Sequence, residues 1–82
     1  MTAKKKILIV EDDEEIRGIL QHYMRKYGYW VEAAENGEDG WNRYQTFQPD
    51  LILTDLVMPI MGGIELLEKL NEHEADTPVI VI

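Results

Sequence analysis

An α/β domain built on a parallel sheet is the fold class this sequence predicts, and three observations predict it. Blocks of consecutive apolar residues recur at 7–10, 51–53 and 79–82, as expected of strands buried on both faces. Between the blocks lie segments with apolar residues at helical spacing, joined by short connections holding Gly, Pro, Asn and Asp. Two of the blocks run into carboxylates, Glu11-Asp12-Asp13 and Asp55. Strands alternating with helices over short connections mean βαβ units, hence parallel strands and right-handed crossovers.

Taken in order, Lys4-Lys5-Lys6 precede Ile7-Leu8-Ile9-Val10, a first strand that ends in an acidic turn. Ile16, Ile19, Leu20, Tyr23, Met24 and Tyr27 follow at the spacing of one helix face. Asp12 or Asp13 can cap this helix, Glu14 and Glu15 suit the positive end of its dipole, and Arg25 and Lys26 suit the negative end. Gly28 is placed to end it in the left-handed region. Gly18 inside it costs about 1 kcal/mol against Ala, and the sequence offers no reason for it.

Residues 29–34 predict a second strand, and Asn36-Gly37 a turn whose Asn caps a helix running to about Phe47. Trp41, Tyr44 and Phe47 are its candidate packing residues, read as core filling and not as a ligand platform; Gly40 weakens the helical pattern. Gln48-Pro49-Asp50 stops it. The third strand runs to Asp55, and after the Pro59, Gly62 and Gly63 loop, Ile64, Leu66, Leu67 and Leu70 give a third helix to about Glu72. Asp76-Thr77-Pro78 opens a fourth apolar strand at 79–82.

Composition narrows the function classes. A chain of 82 residues makes one small domain, burying about 60–65% of its unfolded surface. With 45% hydrophobic and 29% charged residues it is expected to fold. The absence of cysteine excludes disulfides and thiolate metal sites and suits a cytoplasmic location. The basic start leads into an apolar run too short for an export signal, and no transmembrane span is read. Net charge is −8, with the acids concentrated at 11–15, which disfavours nucleic-acid binding by this chain.

If the first and third strands are neighbours, their ends lie about 4.8 Å apart, and Glu11, Asp12 and Asp55 converge. Three carboxylates so close raise at least one pKa unless they are neutralised, and a hard divalent cation such as Mg²⁺ is the simplest neutraliser. Asp13, Glu14 and Glu15 are read instead as helix-capping and solvated residues.

The ordered set of motifs resembles the receiver domain of two-component response regulators. Its carriers are Ile7-Leu8-Ile9-Val10-Glu11-Asp12-Asp13, Ala34-Glu35-Asn36-Gly37, Pro49-Asp50-Leu51-Ile52-Leu53-Thr54-Asp55 and Met58-Pro59-Ile60-Met61-Gly62-Gly63. The resemblance covers essentially the whole chain. It implies a flavodoxin-like, receiver-like parallel sheet, here incomplete, with four strands in the order 2-1-3-4 and three helices.

The resemblance further implies that Asp55 is the phosphoacceptor and that Glu11, Asp12, Asp55 and the Val57 carbonyl hold Mg²⁺, with Pro59 and Gly63 shaping the loop. The implied partner is a histidine kinase or phosphotransfer protein, and the chain would catalyse only its own phosphotransfer. His22 and His73 are read as surface residues, not as a phosphohistidine relay.

Two departures from the family pattern bear on function. Gly62 stands where a small polar or acidic residue is usual, which loosens the loop. Residues 1–82 also read as the amino-terminal portion of one receiver domain, because a Ser/Thr after the fourth strand and a lysine after the fifth fall beyond Ile82. Signalling is therefore expected to be impaired, and the exposed C-terminal strand to self-associate. The alternative reading is a noncatalytic oligomerising or interaction module on a receiver scaffold. A phosphatase is disfavoured, since Asp55-Leu56-Val57 lacks a second acid two residues on.

Overall fold

The computed structural model describes residues 4–55, 61–73 and 75–82. They form β1 (Lys6–Val10), α1 (Glu14–Lys26), β2 (Trp30–Ala34), α2 (Gly37–Phe47), β3 (Leu51–Thr54), α3 (Gly63–Glu72) and β4 (Val79–Val81). The four strands make one parallel sheet in the order β2-β1-β3-β4. This is the expected topology.

β1 lies between two partners, so its apolar run is the best-buried stretch of the chain: Ile7, Leu8, Ile9 and Val10 are each 2% exposed or less. Alternation along the strand sends these residues to opposite faces. Leu8 and Val10 join Ala34, Ile52, Leu66 and Leu70, with Trp41, Tyr44 and Phe47 packed alongside, beneath α2 and α3. Ile7 and Ile9 join Leu53 on the other face, where Leu20 and Met24 of α1 and Val31 of β2 cover them. The three aromatic residues are core filling, as the sequence predicts.

The helix ends obey local chemistry. Asp13 Oδ1 accepts the Ile16 N–H at 3.1 Å, and Asn36 Oδ1 accepts the Asp39 N–H at 2.8 Å, so each capping side chain satisfies a donor that the helix cannot. Gly28 takes a φ of 93° just beyond α1. Gln48 ends α2 with a φ of 52°, a left-handed conformation that its side chain does not advertise.

Gly40 has a packing reason. A Cβ there would lie 2.9 Å from Val10 Cγ2, and Val10 is fully buried and stiff at χ1. The missing side chain lets α2 approach β1, which outweighs the lost helix propensity. Gly18, by contrast, has open space around it, and nothing in the structure explains it.

The broad apolar stripe of α1 divides. Leu20 and Met24 reach the sheet, whereas Ile16, Ile19, Tyr23 and Tyr27 are exposed. The packing face is narrower than the periodicity suggests because α1 lies on the sheet by one edge of its stripe. Ile64 of α3 is exposed too, and only Leu66 and Leu70 of that helix's apolar set are fully inside. β4 lies at the edge of the sheet, as the order 2-1-3-4 expects, with Ile80 50% and Val81 44% exposed.

Candidate functional site

The sheet itself builds the acidic site. β1 and β3 pair with Val10 opposite Thr54, so Glu11 and Asp55 are the next residues on adjacent strands. The backbone ladder continues past both strand ends: Glu11 N–H donates to the Ala34 carbonyl at 3.0 Å and Asp55 N–H to the Val10 carbonyl at 3.1 Å. Both acids therefore stand on a fixed backbone. Beneath them Thr54 is fully buried, its hydroxyl donating to the Asp55 carbonyl at 2.9 Å.

Glu11, Asp12 and Asp55 each bring a carboxylate oxygen within 4.8 Å of the others. They differ in access: Glu11 is buried, Asp55 half-buried and Asp12 exposed. The convergence expected of neighbouring strands is present. Asp13 is otherwise engaged, since its side chain caps α1 and its N–H donates to Glu11 Oε2 at 3.3 Å.

Burial pushes the Glu11 carboxyl above the ordinary glutamate value by desolvating its charge. The Asp13 N–H opposes this, while the hydrogen bond with Asp12 and the charges of Asp55 and Asp12 add to it. A raised carboxyl pKa means that the folded protein keeps a proton which the unfolded chain has already lost. Stability is then lost as pH rises from the ordinary value through the raised one, and the full penalty applies above that window. Glu11→Gln is expected to flatten this slope. In EDTA, the urea midpoint of the wild type should fall relative to the variant as pH is raised from acidic to neutral, and parallel profiles would contradict the burial argument.

The donor set fits a hard divalent cation. Three carboxylates with no sulfur or imidazole among them match the all-oxygen coordination of Mg²⁺ or Mn²⁺, and their mutual repulsion is what such an ion would relieve. Among the described residues, neither His22 nor His73 joins this cluster. Both are exposed, and the ring of His73, at the end of α3, lies tilted by 59° against the Trp41 ring with centroids 4.6 Å apart.

Of the loop residues, Val57 and Pro59 lie outside the described residues. Gly63 is buried as the first residue of α3, and Gly62 caps that helix without a side-chain hydrogen bond. The loop's end is tied to α2, because the Gly37 N–H donates to the Met61 carbonyl at 2.7 Å, and a side chain on Gly37 would collide with that carbonyl. In the sequence Asn36-Gly37 signals a turn and a cap only, with no sign of this tie. Arg17, too, has a role that its residue type does not signal: its guanidinium reaches back to the backbone of the acidic turn.

An acid cluster at the carboxyl ends of adjacent parallel strands, with helices on both faces, defines a doubly wound α/β domain, a class in which ligand sites lie outside the carboxyl ends of the strands. The particular family follows from comparison. A family model described as the response regulator receiver domain matches residues 7–82, and the chain belongs to that family, whose members act in phosphorelay signalling.

The regulatory protein AtoC of Escherichia coli is 37% identical over 82 residues, which is 100% of this chain but 18% of AtoC. The N-terminal domain of an uncharacterized protein from Wolinella succinogenes superposes with a TM-score of 0.91 at 40% identity, covering 98% of this chain and 64% of that one. The response regulator protein TrrA of Thermotoga maritima, solved in complex with Mg(2+)-BeF, gives a TM-score of 0.82 at 30% identity over 94% of this chain and 65% of that one.

Proposed function

We propose that the chain is a Mg²⁺-dependent phosphoacceptor in which Asp55 becomes an aspartyl phosphate. The observation that carries this reading is the meeting of Glu11, Asp12 and Asp55 within 4.8 Å at the ends of β1 and β3. Membership of the receiver family and a relative solved with Mg(2+)-BeF support it.

Glu11, Asp12 and Asp55 would hold the cation, with the Val57 carbonyl as a further ligand by resemblance and Pro59 and Gly63 shaping the loop. When bound, Mg²⁺ offsets the negative charge that gathers on the phosphoryl oxygens. The chain's own residues do the rest. An Asp55 carboxylate oxygen attacks the phosphorus of a phosphohistidine in line, the P–N bond breaks, and the imidazole leaves as a neutral ring after taking up a proton. The rigid strand end holds the nucleophile in place, which favours a single orientation of attack.

The donor is a histidine kinase or phosphotransfer protein, and the chain turns over only its own phosphoryl group. Among the described residues no helix is long and apolar enough to cross a membrane, and the proposed setting is the cytoplasm, where such donors have access. A second reading, self-association of two copies along β4, is favoured by the exposure of Ile80, Val81 and Ile82 on that edge. Light scattering tests it: a dimer that Ile80→Lys disperses is expected, and a monomer at all concentrations would contradict it.

For the main reading, the test is intact mass after incubation with acetyl phosphate. A single added phosphoryl group is expected with Mg²⁺ and none with EDTA. Equal labelling in both, or none in either, would overturn it.

A further inference from the structure

Arg17 is a cation in the fourth position of α1, a helix whose first turn is acidic. A positive side chain there works against the helix dipole, and three carboxylates stand nearby to attract it. Yet among the described residues the ion pairs belong to Arg43, not to Arg17. Arg17 Nη1 instead donates to the backbone carbonyl of Glu11 at 2.9 Å and lies 3.4 Å from that of Asp12.

The contact joins two successive carbonyls of the acidic turn. Glu11 is fixed on its amino side by the ladder bond to Ala34, and Asp13 is fixed by capping α1. Asp12 between them is exposed and has no strand to hold it. The two carbonyls gripped by Arg17 flank the Asp12 Cα, so the guanidinium constrains the peptide planes that aim both acids. The carboxylate oxygens themselves stay free of it.

We propose that Arg17 is a positioning residue for the acid site, its guanidinium holding the Glu11 and Asp12 carbonyls so that both carboxylates face Asp55. This rests on the metal-binding reading of that site. Two effects of Arg17 on a divalent cation have opposite sign: its charge repels the ion, while its grip on the turn presents the ligands. The proposal is that the second effect wins.

The test is Mn²⁺ affinity of the folded chain, read from the electron paramagnetic resonance signal of free Mn²⁺, for wild type, Arg17→Ala, Arg17→Lys and Asp12→Asn. Arg17→Ala is expected to raise the Mn²⁺ Kd about tenfold, in the range found for groups that support metal ligands. Arg17→Lys keeps the charge but not the fork and should raise Kd about threefold. Should the alanine variant not fold, the lysine variant carries the same test. A lower melting temperature with unchanged Kd would make Arg17 merely structural and overturn the proposal, and so would tighter binding by Arg17→Ala. If the wild type itself fails to bind Mn²⁺, or Asp12→Asn binds as well as wild type, the metal-site reading falls and this proposal with it.

Discussion

Asp55→Asn is expected to abolish phosphoryl uptake from acetyl phosphate while making the metal-free protein more stable. The first effect follows because an amide nitrogen or oxygen cannot replace a carboxylate as the attacking nucleophile. The second follows because three carboxylates within 4.8 Å repel one another, and removing one relieves about 1–2 kcal/mol at the effective dielectric of a partly solvated cleft. The opposite signs are informative. A variant that lost uptake because it lost structure would be less stable, so a urea titration in EDTA beside the mass measurement separates chemistry from folding. Uptake by Asp55→Asn at the wild-type level would place the acceptor elsewhere.

Leu8→Ala is expected to bring the protein close to unfolding at physiological temperature. Leu8 is 0% exposed in the central strand and packs with Val10, Ile52, Leu66 and Leu70. Truncation removes its transfer energy and leaves a cavity walled by both the sheet and α3, costing about 3–4 kcal/mol. A chain of this size holds only about 4–12 kcal/mol in all, and the melting temperature should fall by about 15–25 °C. A fall of only a few degrees by circular dichroism would mean that this side of the sheet is not the well-packed core described. The site should feel the loss as well, since Val10 of the same cluster accepts the bond that fixes Asp55.

Much of the fold is legible because strand burial here is written in consecutive apolar residues. Ile7 to Val10 and Leu51 to Leu53 fit interior strands because they are short, apolar and bounded by acids and turns, and the acids that follow are then placed by strand pairing. That is why the meeting of Glu11, Asp12 and Asp55 could be read in advance. The chemistry of Asp55, in contrast, comes from resemblance, because three acids at strand ends describe a cation site equally well without a phosphoryl group.

Two features, the narrow contact of α1 and the grip of Arg17, were hidden for physical reasons. In α1 the apolar residues Ile16, Ile19, Leu20, Tyr23, Met24 and Tyr27 form a stripe wider than the contact, so periodicity cannot say that only Leu20 and Met24 reach the sheet. At 79–82 the apolar run alone does not tell centre from edge, and the order 2-1-3-4 implied by the resemblance is what put β4 at the edge where it is found. The grip of Arg17 on the acidic turn joins a side chain to backbone carbonyls, a contact with no residue-type signature. Its one sequence clue is a lone cation among the acids that open a helix.

The central claim, that Asp55 accepts a phosphoryl group, is tested most directly by trapping the product. An aspartyl phosphate is an acyl phosphate, which borohydride reduces to homoserine, and tandem mass spectrometry of the digested protein then locates the reduced residue. After incubation with acetyl phosphate and Mg²⁺, homoserine is predicted at position 55 alone, with none in EDTA. Reduction at Glu11, Asp12 or any other acid, with Asp55 intact, would contradict the account.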